Sequence, residues 1–243
     1  MKEKVILFHL KALGKAIFYA FASYFGVLIF LTLIFKVAAI DQSDASINIS
    51  GIELIMAIVL FIVALSSYKS ELRLMLQLGI SRKTKWITTL VSVAICSVFL
   101  SVLSILLSEI ATMVASPVQF NGSFPYIYTS ISIIYRILIC STLFILFYYI
   151  GAFFTLIYSR MNTIGKIVFT TLLAAAAPIL SFANVYLLNN MIYNAIVALT
   201  KYIAQSPVNL IICLSLSSLM LILITYIMNR DIDLTKGNAN LSL

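Results

Sequence analysis

The chain has 243 residues, 63% hydrophobic and 10% charged, with mean hydropathy +1.11 and a net charge of +8. Soluble domains average roughly 25% charged residues, so this composition excludes a water-soluble globular domain and makes lipid the solvent. The positive charges sit beside apolar runs, where anionic headgroups and the positive-inside rule account for them, so nucleic acid is not an expected partner.

At the start, Lys4, Lys11 and Lys15 share one helical face, and Val5, Ile6, Phe8, Leu10 and Leu13 cover most of the rest. Residues 1–15 read as an amphipathic helix lying on the inner leaflet, or as the cytoplasmic start of a long first helix. Span 1 is predicted over Ala16–Ile40. It exceeds the roughly 7–15 residues of a signal-peptide core, so it is expected to be retained, although Val37-Ala38-Ala39 imitates a cleavage site. A polar loop, Asp41–Ser50, leads to span 2 over Ile52–Tyr68, and Lys69–Lys85 is the most basic stretch. Span 3 covers Trp86–Ala115, and a Pro, Gly and aromatic loop follows over Ser116–Tyr126. Span 4 covers Ile127–Tyr158, with Arg160–Lys166 as a second basic loop. Span 5 covers Ile167–Leu188, Asn189–Pro207 is amphiphilic, span 6 covers Val208–Met228, and the rest is a polar tail. Each run reaches the roughly 20 residues a crossing needs, span 2 only just. The longer spans 3 and 4 predict tilt or protrusion.

Orientation follows from Lys and Arg. One set of segments holds Lys2, Lys4, Lys11 and Lys15; Lys69, Arg73, Arg82, Lys83 and Lys85; Arg160 and Lys166; Arg230 and Lys236. The other set holds only Lys201, and Lys36 and Arg136 fall within spans. The basic set is cytoplasmic by the positive-inside rule. The predicted fold is an all-α polytopic membrane protein: one transmembrane domain over residues 1–243, six spans, and both termini cytoplasmic.

The most informative loop is Lys69–Lys85. Lys69–Gly79 reads as a short cytoplasmic helix with Leu72, Met75, Leu76 and Gly79 on one face, and Gly79 suits a left-handed C-terminal cap. Such a helix either docks into a groove on another protein or anchors two spans at the interface. Leu78-Gly79-Ile80-Ser81-Arg82-Lys83 resembles the Leu-Gly-x-Ser-Arg segment after the second span of permeases of the ABC-2 type. Met228-Asn229-Arg230-Asp231 is similar to the way those chains leave their last span, and residues 1–15 look like the family's elbow helix. The resemblance implies a dimer, with an identical or similar second permease, and separate ATP-binding-cassette ATPase subunits gripping the 69–85 coupling segment. Glu71, Leu72, Arg73, Met75, Leu76, Gly79, Arg82 and Lys83 are then the candidate coupling residues, and Arg82 and Lys83 equally suit lipid phosphate. The sequence has no GxxxxGK[ST] loop, so ATP hydrolysis is expected from another polypeptide.

Charge inside the membrane is the second feature. Arg136 lies about nine residues into span 4, roughly 12 Å deep at 1.5 Å per residue, and Glu109 lies near the matching end of span 3. The antiparallel hairpin predicts a Glu109–Arg136 ion pair, serving either a polar substrate path or the structure alone. Lys36 and Glu53 are placed to pair likewise. Pro178, after Ala174–Ala177, marks a packing face or a hinge in span 5.

No enzyme, cofactor or metal site is expected. His9 is the only histidine, and Cys96, Cys140 and Cys213 lie in apolar runs without CxxC spacing. Glu53, Glu71 and Glu109 are isolated, unlike the paired glutamates of intramembrane proteases. The expectation is the membrane-spanning subunit of a bacterial cell-membrane ABC exporter moving an amphiphilic cargo such as a peptide, lipid or drug. A non-transport sensor, accessory or immunity protein and an ion-driven carrier are the alternatives.

Overall fold

A computed structural model describes residues 10–11, 14–15, 18, 47–50, 52–114, 118–121, 128, 131–186 and 190–230. Within them lie six helices: α1 Ile52–Gln77, α2 Arg82–Val114, α3 Ile133–Arg160, α4 Thr163–Tyr186, α5 Met191–Gln205 and α6 Pro207–Arg230. Two four-residue strands, β1 Ile47–Ser50 and β2 Val118–Asn121, pair in parallel with Ile47 opposite Val118.

Four helices are long and apolar enough to cross a membrane: α1 over Glu53–Gln77, α2 over Arg82–Leu106, and all of α3 and α6. The shortest, 24 residues, extends about 36 Å at 1.5 Å per residue, against roughly 30 Å of hydrocarbon. The chain is therefore a helical membrane protein. The expected fifth span falls on α4, a 24-residue helix whose apolar stretch is described over Thr163–Ala176. The expected first span, Ala16–Ile40, lies outside the described residues apart from Phe18. Of the expected interfacial helix, Leu10, Lys11, Gly14 and Lys15 are described, and all are helical.

Two elements differ from the expectation. The separate short helix over Lys69–Gly79 is instead the last turns of α1, which runs unbroken from Ile52 to Gln77. No Pro or Gly interrupts that stretch, so nothing ends the helix where the polarity changes. The amphiphilic Asn189–Pro207 segment contains a further helix, α5, entered through Asn190 at φ 64°. The Asn184 side-chain oxygen accepts from the Ile192 and Tyr193 amides at 3.0 and 3.3 Å, satisfying donors of its first turn.

Helix α3 is central, packed against α1, α2 and α6. Lipid tails are as apolar as leucine, so helix association there depends on close fit and hydrogen bonds. The α1–α3 seam includes small residues: Ala64 meets Gly151, and Ala57 and Ala152 are buried in the same core. A Cβ on Gly151 would stand 2.5 Å from the Phe61 carbonyl oxygen and 2.8 Å from the Ala64 Cβ. Next to it, the Thr155 hydroxyl donates to the Gly151 carbonyl at 2.9 Å and lies 3.4 Å from that of Ala64. Helix α2 buries Ser97, Ser101 and Ser104, each bonded to a carbonyl one turn back. Ile58, Ile62, Ile95 and Phe99 point outward, as a lipid-facing surface requires.

Candidate functional sites at the two ends of the bundle

The described basic residues of the loops gather at one end, where α1 and α3 finish, α2 and α4 begin, and α6 finishes. The reversal between α1 and α2 is set by three residues. Gly79 adopts φ 74°. The Ile80 amide donates to the Met75 carbonyl at 3.0 Å and the Gly79 amide to that of Leu76 at 3.1 Å. This is a Schellman cap, which needs a left-handed residue at Gly79. Two residues later Ser81 caps α2, its hydroxyl accepting from the Thr84 amide at 3.1 Å. Gly79 and Ser81 thus have a local structural reason, and Leu78 and Lys83 take no part in the caps.

Two arginines tie this turn and the end of α3 to α6. The Arg82 guanidinium donates to the Arg230 carbonyl, and that of Arg160 to the Met228 carbonyl. Each places a cation on carbonyls left open at a helix C-terminus, where the dipole is negative. Trp86 packs on Tyr226 with ring centroids 4.7 Å apart.

Beneath the turn, one cation of the basic Lys69–Lys85 stretch is buried. Lys85 is 0% exposed, with Nζ 3.5 Å from the centroid of the Tyr68 ring. Glu71, half-buried and within hydrogen-bonding reach of Ser67, supplies opposite charge to it. The ring and the carboxylate together offset the desolvation of the ammonium group. Buried Tyr148 and Tyr149, in edge contact at 5.6 Å, close the cluster.

The candidate coupling residues are divided by this arrangement. Leu72 and Met75 are each 1% exposed, inside the chain's own packing, and Leu76 packs partly against the same core. Glu71 faces Lys85, and Arg82 is committed to α6. Arg73, Gly79 and Lys83 are exposed, and so are Leu74 and Leu78, the latter at 68%. The apolar row read from helical spacing is thus mainly an interior row, and the surface apolar residues lie beside it.

At the opposite end, the predicted ion pair is present: Arg136 Nη1 is 3.8 Å from Glu109 Oε1. The closer partner is Glu53, 3.3 Å from Arg136 Nη2, with its side chain 2% exposed. The depth of Arg136 differs from the expectation. Helix α3 starts at Ile133, so Arg136 sits in its first turn and not about nine residues in. Residues 128, 131 and 132 are extended or coil. Glu53 likewise occupies the first turn of α1, where a carboxylate is favoured by the helix dipole. Lys36, the expected partner of Glu53, lies outside the described residues. Nearby, the Tyr128 hydroxyl donates to the Ile203 carbonyl at 2.7 Å, fixing the end of α5.

No protein-family model, curated protein or solved structure matches this chain.

Proposed function

We propose that the chain is the membrane-spanning subunit of an ABC-2-like exporter. It has six spans with the basic end in the cytoplasm of a bacterial cell, and it works with a second permease and separate ATPase subunits. The observation that carries this reading is the rigid basic end. The Leu78–Lys83 turn is capped on both sides and bound through Arg82 to α6, while α1 continues unbroken to Glu53 at the far end. A push on such a turn reaches both ends of α1 and the C-terminus of α6 as a unit, as coupling to an external motor requires. Leu74, Leu78, Arg73 and Lys83 form the docking surface in this reading, in place of the buried Leu72 and Met75. Arg136, with Glu53 and Glu109, holds the opposite ends of α1, α2 and α3 together during that motion. The cargo is amphiphilic and travels along the lateral surface.

The test is affinity purification of tagged chain from mildly solubilised native membranes. Wild type should bring down an ATPase subunit, and Leu78→Asp should lose it. Leu78 is exposed, so its replacement leaves the fold intact. Absence of any ATPase with wild type overturns the exporter reading and favours a stand-alone binder or an ion-driven carrier.

A further inference from the structure

Between α1, α3 and the start of α4 lies a groove of about 640 Å³, within the roughly 300–1,000 Å³ of small-molecule sites. Its polar mouth carries three cations: Lys69 and Arg73 on α1, and Lys166 on α4. None of its described lining residues is acidic, and no described carboxylate lies within 4.0 Å of these cations. Lys69 and Arg73 are one helical turn apart, a spacing at which like charges repel. Lys166 is in the first turn of α4 and stands 5.3 Å from the Tyr158 ring centroid, so the positive end of that helix dipole adds to the same field.

The groove is also graded along the membrane normal. On α1, Leu65 and Phe61 lie one and two turns above Lys69, away from the basic end. On α3, Phe154 lies one turn above Tyr158, and on α4, Phe169 and Leu173 lie one and two turns above Lys166. All three helices thus place polar groups at the interface, charged on α1 and α4 and the Tyr158 and Ser159 hydroxyls on α3, and apolar side chains about 5–12 Å deeper at 1.5 Å per residue. An inorganic anion would fill only the mouth, and a neutral hydrocarbon only the depth. We infer that this groove is a binding site for an anionic phospholipid of the basic-side leaflet, its phosphate held by Lys69, Arg73 and Lys166 and its acyl chain lying against Phe61, Phe154 and Phe169. This inference does not depend on the transport reading. It assigns Arg73 to lipid as well as to the outer surface.

The test is native mass spectrometry of the purified full chain in detergent, titrated with phosphatidylglycerol or phosphatidylcholine of the same acyl composition. Wild type should take up one phosphatidylglycerol at a concentration roughly tenfold or more below that for phosphatidylcholine, given three interfacial cations. Lys69→Gln/Arg73→Gln/Lys166→Gln should bring the two lipids to within about twofold of each other. Leu173→Trp, which fills the deep end and keeps the cations, should weaken phosphatidylglycerol binding several-fold. Circular dichroism checks that both variants stay helical. If the triple variant does not fold, Lys166→Gln, at a half-buried position in the first turn of α4, should still lower the preference. The inference is overturned by equal uptake of the two lipids by wild type, by an unchanged preference in the charge variants, or by displacement of phosphatidylglycerol with millimolar inorganic phosphate.

Discussion

At Gly151 α3 lies directly against the α1 backbone, and alanine there is the sharpest test of the packing. A methyl group would sit 2.5 Å from a backbone oxygen and 2.8 Å from the Ala64 Cβ. Neither neighbour is the end of a flexible side chain, so the helices must separate by several tenths of an ångström. Overpacking of this kind costs about 1–3 kcal/mol. It is offset in part by the roughly 0.5–1 kcal/mol that alanine contributes over glycine in a helix. The expected net loss is about 1–2 kcal/mol, with the Thr155 bond across the seam strained as well. Gly165→Ala is the matched control, because its Cβ meets only the Met161 side chain, at 3.4 Å from Cβ and 3.7 Å from Cγ. Thermal unfolding in detergent, followed by the fluorescence of Trp86, the single tryptophan, gives both values. Trp86 packs between α2 and α6, so it reports on the assembled bundle. Gly151→Ala should melt several degrees below wild type, and Gly165→Ala at or slightly above it. Equal melting of the two variants would refute the close α1–α3 contact.

Three further perturbations test the two ends. Arg136→Leu removes the cation beside buried Glu53 and should cost about 3–5 kcal/mol, while Glu109→Gln, at a side chain 62% exposed, should cost under about 1 kcal/mol; unfolding in denaturant ranks them. Gly79→Ala meets no atom within 4 Å, so only the left-handed backbone opposes it, at about 1–2 kcal/mol, and Gly79→Asn should cost less by the same measurement. Lys85→Met should destabilise by about 1–3 kcal/mol because Glu71 loses its compensating charge, and Lys85→Met/Glu71→Gln should recover most of that loss, since replacing both partners of a buried pair is often neutral. A double variant no better than Lys85→Met alone contradicts the pairing.

The long apolar runs made α2, α3 and α6 readable to within a few residues at most ends, because twenty apolar residues leave few alternatives to a crossing helix. Helix ends were legible only where a cap was recognised. Gly79 gives its role away as a glycine beyond an apolar periodicity, but the membrane edge near Tyr68 is not a helix end, and α1 runs through it. Polarity marks where a helix leaves lipid, and caps mark where it ends. The same confusion accounts for the depth expected of Arg136, since Tyr128, Ile131 and Ser132 precede the helix without joining it. The Glu109–Arg136 pair could be deduced because a hairpin fixes the relative depth of its two arms. The Glu53 contact joins α1 to α3, which are not sequence neighbours, and no hairpin argument reaches it. Burial of Lys85 was equally hidden: a lysine among five basic residues reads as solvated until the Tyr68 ring and Glu71 meet it. The unabsorbed polarity of Asn189–Pro207 was visible, but Asn190 in a left-handed conformation, which turns the segment into α5, was not.

The central claim is that the exposed turn at the basic end is where an ATPase subunit binds. Photo-crosslinking in native membranes tests it most directly, with a photoreactive residue at Leu78 or, in separate cells, at Met191, exposed on α5 away from that turn. The account predicts an adduct to an ATP-binding-cassette subunit from position 78 and none from position 191. No adduct from position 78, or equal adducts from both, would contradict it.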